Sequence, residues 1–99
     1  MSRFARKKDG NHRYIVNAFI AFGCTVVTLD VSTKNVPDLL VGKGGVDQLV
    51  EVKPDMPETH REHCAEQRDW ANAWRGRSPV VVRNLDDVLN VVRKMRGAI

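Results

Sequence analysis

Two apolar stretches in the middle of the chain flank the run Gly42-Lys43-Gly44-Gly45. Adjacent glycines suit the two positive φ angles of a type I′ turn, which joins antiparallel strands through only two residues. The expected strands are Pro37–Val41 and Val46–Lys53. Pro54 ends the second, because proline cannot donate to a ladder. With Gly44 and Gly45 at the turn, Leu40 faces Leu49, Asp38 faces Glu51 and Val36 faces Lys53. Side chains alternate along a strand, so Asp38, Glu51 and Lys53 share one face. Leu39, Val41, Val50 and Val52 share the other, an apolar set fit for a core. A one-residue slip would split the charged triplet and turn the apolar set outward, so the pattern itself defines the register.

The remaining elements arrange themselves around this hairpin. Asp9 or Asn11 is a candidate cap for a first helix. Ile15, Ala18, Phe19 and Phe22 then recur at helical spacing, and Gly23 is a natural stop. Cys24–Leu29 is short and β-branched, and reads as a strand. Val31–Asn35 reads as a polar loop. Thr59 and Glu62 form a capping box for a second helix that runs to Gly76. Its expected buried stripe is Cys64, Gln67, Ala71 and Trp74, with Trp70 beside it. Pro79–Arg83 is expected as a fourth strand, central because it is wholly apolar. Asn84 caps a last helix whose inner stripe is Leu85, Val88, Leu89 and Val92. The order α-β-β-β-α-β-α implies an α/β fold, a mixed four-stranded sheet flanked by helices. The helical crossover makes the third and fourth strands parallel.

At 99 residues the chain is expected to form one domain, 1–99, with 1–8 as a basic arm. Its 42% hydrophobic and 28% charged residues suit a globular protein rather than a disordered one. No apolar run approaches the ~18–20 residues that span a bilayer, and no secretory leader is read at the N-terminus, so the expected address is the cytoplasm. For a phage-encoded protein that means the host cytoplasm. The net charge of +4 is concentrated at the ends, in Arg3, Arg6, Lys7, Lys8 and Arg13, and again in Arg93, Lys94 and Arg96. This distribution favours a polyanionic partner, nucleic acid above all, and the N-terminal residues are its expected phosphate contacts. The two cysteines make no C-x-x-C pair. His60, His63 and Cys64 lie close in sequence, but a structural zinc site wants a fourth ligand that only distant segments offer.

Asp38 and Glu51, opposed on a sheet among Val and Leu, repel each other and are costly as unpaired charges. Lys53 answers this as an ordinary ion pair. A divalent cation is the other answer. Two carboxylates with open coordination positions suit Mg²⁺, which keeps waters and takes substrate phosphate.

Pro37-Asp38 followed by Glu51-Val52-Lys53 resembles the P-D…(D/E)-x-K pattern of the PD-(D/E)XK nuclease superfamily. The short glycine hairpin between the two halves is similar to the small phage and bacterial VRR-NUC type, which is Holliday-junction-resolvase-like. The likeness extends over about Asp9 to Val92. It implies a restriction-endonuclease-like core and a metal-dependent endonuclease that hydrolyses DNA, with branched DNA as substrate and a homodimer as the working form. It assigns Asp38 and Glu51 to the metal with the Val52 carbonyl, Lys53 to the attacking water, and Gln67 to a supporting role from the second helix. The implied ion is Mg²⁺, with Mn²⁺ able to substitute. Many relatives carry a glutamate near the start of the first helix, where this chain has Asp9-Gly-Asn11-His12-Arg13. Asp9 and Asn11 are therefore candidates for a first-helix metal position as well as for a cap. The missing glutamate keeps a second reading open: a catalytically inactive, nuclease-like nucleic-acid-binding or phage accessory protein. Trp70 and Trp74 read either as base-stacking residues or as core or subunit contacts.

Overall fold

The structure, a computed structural model, describes residues 10–29, 35–55 and 65–97. The basic residues Arg3, Arg6, Lys7 and Lys8, the candidate Asp9, the capping box at Thr59 and Glu62, and His60, His63 and Cys64 lie outside the described residues. The elements are α1 (Gly10–Ala21), β1 (Thr25–Thr28), β2 (Leu39–Lys43), β3 (Val46–Val52), α2 (Ala65–Ala73), β4 (Val80–Val82) and α3 (Leu85–Gly97). The strands form one mixed sheet in the order β1-β2-β3-β4. β1 and β2 run antiparallel, as do β2 and β3, whereas β3 and β4 are parallel.

The hairpin has the register read from the sequence: Leu39 pairs with Val50, Leu40 with Leu49 and Lys43 with Val46. Gly44 and Gly45 have φ of 62° and 80°, both in the left-handed region that glycine adopts without strain. The turn is so tight that β2 extends to Lys43 instead of ending at Val41. Asp38 falls one step before the ladder, in a bend, and its main-chain carbonyl accepts a hydrogen bond from the Leu29 N–H at 2.8 Å.

α1 ends in a paired cap. The Gly23 N–H donates to the Ile20 carbonyl at 2.9 Å and the Cys24 N–H to the Phe19 carbonyl at 3.0 Å, with Gly23 at φ 89°. This is the Schellman arrangement, which satisfies carbonyls that the helix itself leaves open. It turns the chain directly into β1. Asn84 caps α3 through its side-chain oxygen, which accepts from the Asp87 N–H at 3.0 Å. The Asp87 carboxylate in turn accepts a hydrogen bond from the Arg83 N–H at 2.8 Å.

The core lies on one face of the sheet. Ile15, Ala18 and Phe19 of α1 and Val88, Val91, Val92 and Met95 of α3 pack there with Leu39, Val41, Val50, Val82 and Cys24. Gln48 is buried on the same face, its amide donating to the Ser78 carbonyl at 2.8 Å and the Leu49 carbonyl at 2.9 Å. A buried amide so paired avoids the penalty of an unsatisfied group.

Several expectations are corrected. β4 is an edge strand, not a central one, and Val81 is 50% exposed. α1 and α3 pack on the Val82 side of β4, while the Val81 side opens onto a cavity lined also by α2. The inner stripe of α3 runs through Val88, Val91, Val92 and Met95, while Leu85 is exposed at the first turn. Phe22 lies beyond the last turn of α1 and is also exposed. Among its described residues α2 buries none, so the expected stripe of Gln67, Ala71 and Trp74 is not a core stripe. α2 lies on the opposite side of the sheet from α1 and α3, above the charged face.

Candidate active site

The charged face owes its geometry to the hairpin and to α2. Glu51 is the penultimate residue of β3, and Lys53 follows the strand, pinned by its own N–H to the Val82 carbonyl of β4 at 3.1 Å. Asp38 is anchored by its carboxylate, whose Oδ2 accepts from the Val52 N–H at 2.8 Å. Gln67 reaches down from α2 and ties together Glu51 and Lys53, the two charged residues of the second half of the motif. Its Oε1 accepts from Lys53 Nζ at 2.6 Å, and its Nε2 donates to Glu51 Oε2 at 2.9 Å. Lys53 Nζ stands 3.8 Å from Glu51 Oε2, with the two side chains 22% and 14% exposed.

Glu51 is pushed up to about 7 from an ordinary value of 4.5. Burial is the main cause and the neighbouring Asp38 carboxylate the second; Lys53 and the Gln67 amide pull the other way without cancelling them. Loss of hydration and a like charge both disfavour the ionised form. A shared hydrogen bond between the two acids adds to the effect.

Asp38, Glu51, Val52 and Lys53 line a cavity of about 130 Å³ together with Asn11, His12 and Pro54. Asn11 lies inside the first turn of α1, so it is not the helix cap. Its amide nitrogen donates to the Lys53 carbonyl at 2.7 Å and the Arg83 carbonyl at 3.3 Å, binding the ends of β3 and β4 to α1. Sequence reasoning did not anticipate this clamp, because its partners are main-chain atoms from distant segments. His12, weighed in the sequence only as a distant candidate zinc ligand, lines this cavity. Arg13 is exposed on α1 and does not line this cavity.

The donor set suits one kind of ion. Among the described residues no group of three or more His, Cys, Asp and Glu side chains is arranged to hold a metal. Two carboxylates in one cavity instead match Mg²⁺ or Mn²⁺, which complete their shell with water and phosphate oxygens. They do not match a structural zinc centre. Cys24 is buried in the core, and burial raises its thiol pKa.

A second cavity of about 220 Å³ adjoins the first and shares Glu51 and Lys53 with it. Trp70, Ala71, Pro79 and Val81 provide its apolar walls. Trp70 stacks on Trp74 with ring centroids 5.1 Å apart and planes inclined by 11°. Trp74 is 45% exposed, so the pair is a surface feature and not core. No helix among the described residues is long and apolar enough to cross a membrane.

No family model and no curated protein matches the chain. Among solved structures, one titled "VRR_NUC domain" does. It is 27% identical in sequence, its TM-score is 0.69, and the match covers 88% of this chain and 95% of that one. The resemblance read from Pro37-Asp38 and Glu51-Val52-Lys53 thus extends to the whole architecture: the chain has the fold of a VRR-NUC domain, within the PD-(D/E)XK nuclease superfamily.

Proposed function

We propose that the protein is a Mg²⁺-dependent endonuclease that hydrolyses phosphodiester bonds in DNA. The observation that carries this reading is the junction made by Gln67, which ties an acid and an amine of the hairpin together beside a second acid. Asp38 and Glu51, with the Val52 carbonyl, are the groups that would hold the divalent ion. Bound there, such an ion supplies charge neutralisation at the phosphate and a more acidic water. Lys53 presents its ammonium to the same cavity, where it orients the attacking water and offsets charge gathering on the phosphate. Gln67 fixes the direction of both Lys53 and Glu51. Asn11 holds the main chain of Lys53 from behind, and so acts as a positioning residue. The basic N-terminal residues Arg3, Arg6, Lys7, Lys8 and Arg13 supply sequence-independent phosphate contacts. Branched DNA as substrate and a homodimer as working form belong to the same proposal, by similarity to the VRR-NUC type.

The test is cleavage of labelled linear, flapped and four-way DNA by purified protein in Mg²⁺ and in EDTA. Cutting that needs the ion and disappears in Asp38→Ala is the expected result. Cutting that persists in EDTA or in that variant removes this mechanism.

One observation favours a second reading, a nuclease-like module that grips DNA without cutting it. Asn11 occupies the region where relatives bear a glutamate, and its amide is committed to two main-chain carbonyls. Calorimetric titration with Mn²⁺ separates the two: no heat from ion binding, with DNA affinity intact, favours the binder.

A further inference from the structure

The two cavities beside β3 differ in chemistry and share a wall. One is polar and contains Asp38, Glu51 and Lys53; the other is walled by Trp70, Ala71, Pro79 and Val81. Glu51 and Lys53 belong to both. A ligand that spans them must therefore be charged at one end and flat and apolar at the other. A nucleotide has that form: its phosphate suits the first cavity once a divalent ion is held by the two acids, and its base suits the second. Arg68 and Arg83 also line the apolar cleft, and Arg83 is steadied by donating from Nη1 to the Pro54 carbonyl at 3.0 Å. Two guanidinium groups at an apolar cleft fit a base flanked by phosphates better than they fit a protein side chain. Trp74 does not line the cleft, so Trp70 meets it with a part of its ring that Trp74 leaves uncovered.

We propose that the apolar cleft between α2 and β4 receives an unpaired base from the DNA strand whose phosphate lies at the acidic cavity. This rests on the nuclease reading and deepens it. A base stacked inside a duplex cannot enter a side cleft without leaving its stack, which costs a few kcal/mol for a paired base and least for one already unpaired. The cleft accordingly selects strands with unpaired bases next to the cut, such as flaps and the branch points of junctions, over uninterrupted duplex. Stacking against an aromatic wall is tolerant of sequence, because every base has a π-face.

The test uses single-stranded DNA with one 2-aminopurine, mixed with full-length protein in Ca²⁺, an ion that carboxylate oxygens hold and that offsets the two acids. Quenching of the probe on binding is expected, with little change for the same sequence in a fully paired duplex. Val81→Trp fills the cleft from an exposed position. It should abolish the quenching and weaken single-strand binding by about tenfold, within the range lost when a stacking contact is removed. Trp70→Leu should do the same, so the conclusion does not depend on one variant folding. Calorimetry with Mn²⁺ should give equal affinity for Val81→Trp and the parent. Absence of quenching in the parent, or full quenching in both variants, overturns the proposal. So does self-association by sedimentation that Val81→Trp abolishes, since a second copy would then fill the cleft. A parent that binds Mn²⁺ and cuts DNA but never quenches overturns the cleft alone. Quenching without Mn²⁺ binding instead overturns the nuclease reading.

Discussion

Glu51 is where the conflict between folding and chemistry is sharpest. The fold buries it beside a second acid and lifts it to about 7, so the metal-free protein favours its protonated form well above the usual carboxylate range. The sign follows from linkage: a group whose pKa is raised in the folded state contributes stability that is complete below about 4.5 and declines as pH climbs through about 7. In EDTA, thermal unfolding should therefore show a midpoint that falls between those pH values. Glu51→Gln removes the ionisable group while keeping an acceptor for Gln67. It should raise the midpoint at pH 8, leave it nearly unchanged at pH 4.5, and abolish Mn²⁺ binding. A difference that is independent of pH would contradict this account. The burden on Glu51 was foreseeable in kind from its pairing opposite Asp38. Its size was not, because burial arises from α2 and from neighbours on β4 that the local sequence does not specify.

Among the elements, the hairpin shows how little sequence is needed when geometry has few solutions. Two glycines with positive φ force a two-residue turn, and every cross-strand pair then follows from the numbering. A Cβ at Gly44 or Gly45 would meet nothing within 4 Å, so substitution there costs conformational energy alone. Gly44→Asn should be nearly neutral, since asparagine visits the left-handed region, whereas Gly44→Val should cost at least about 1–2 kcal/mol in urea unfolding. Equal effects of the two would mean that the turn is not of this type. β4 shows the opposite case. Val80, Val81 and Val82 look like any buried parallel strand, and nothing local says whether a further strand lies outside them. Only the finished sheet shows that β4 is its edge and that Val81 opens onto the cleft.

Across the whole molecule the sheet is packed unequally. α1 and α3 enclose the core on one face, with Phe19, Ile15 and Met95 almost wholly buried. The other face is roofed by α2, whose described residues are none of them buried. Protection from exchange follows burial and contact, so native-state hydrogen exchange should open α2 well before β2, β3 and α1. Amides of α2 as slow as those of β3 would refute this. Phe19→Ala should cost about 3–5 kcal/mol. That is a large part of the 5–15 kcal/mol typical of a domain, so the variant should be marginal at 37 °C by calorimetry. The sequence alone determined the stop of α1 at Gly23, the turn, the hairpin register and the face shared by Asp38, Glu51 and Lys53, whereas α2 ends at Ala73 and not at Gly76. Each of these depends on backbone rules that act over a few residues. Tertiary structure decided the rest: the reach of Gln67 from α2 to Glu51 and Lys53, the Asn11 clamp, the edge position of β4 and the cleft beside it. Those depend on which distant segments meet, and contacts between distant segments leave no local trace in the order of residues.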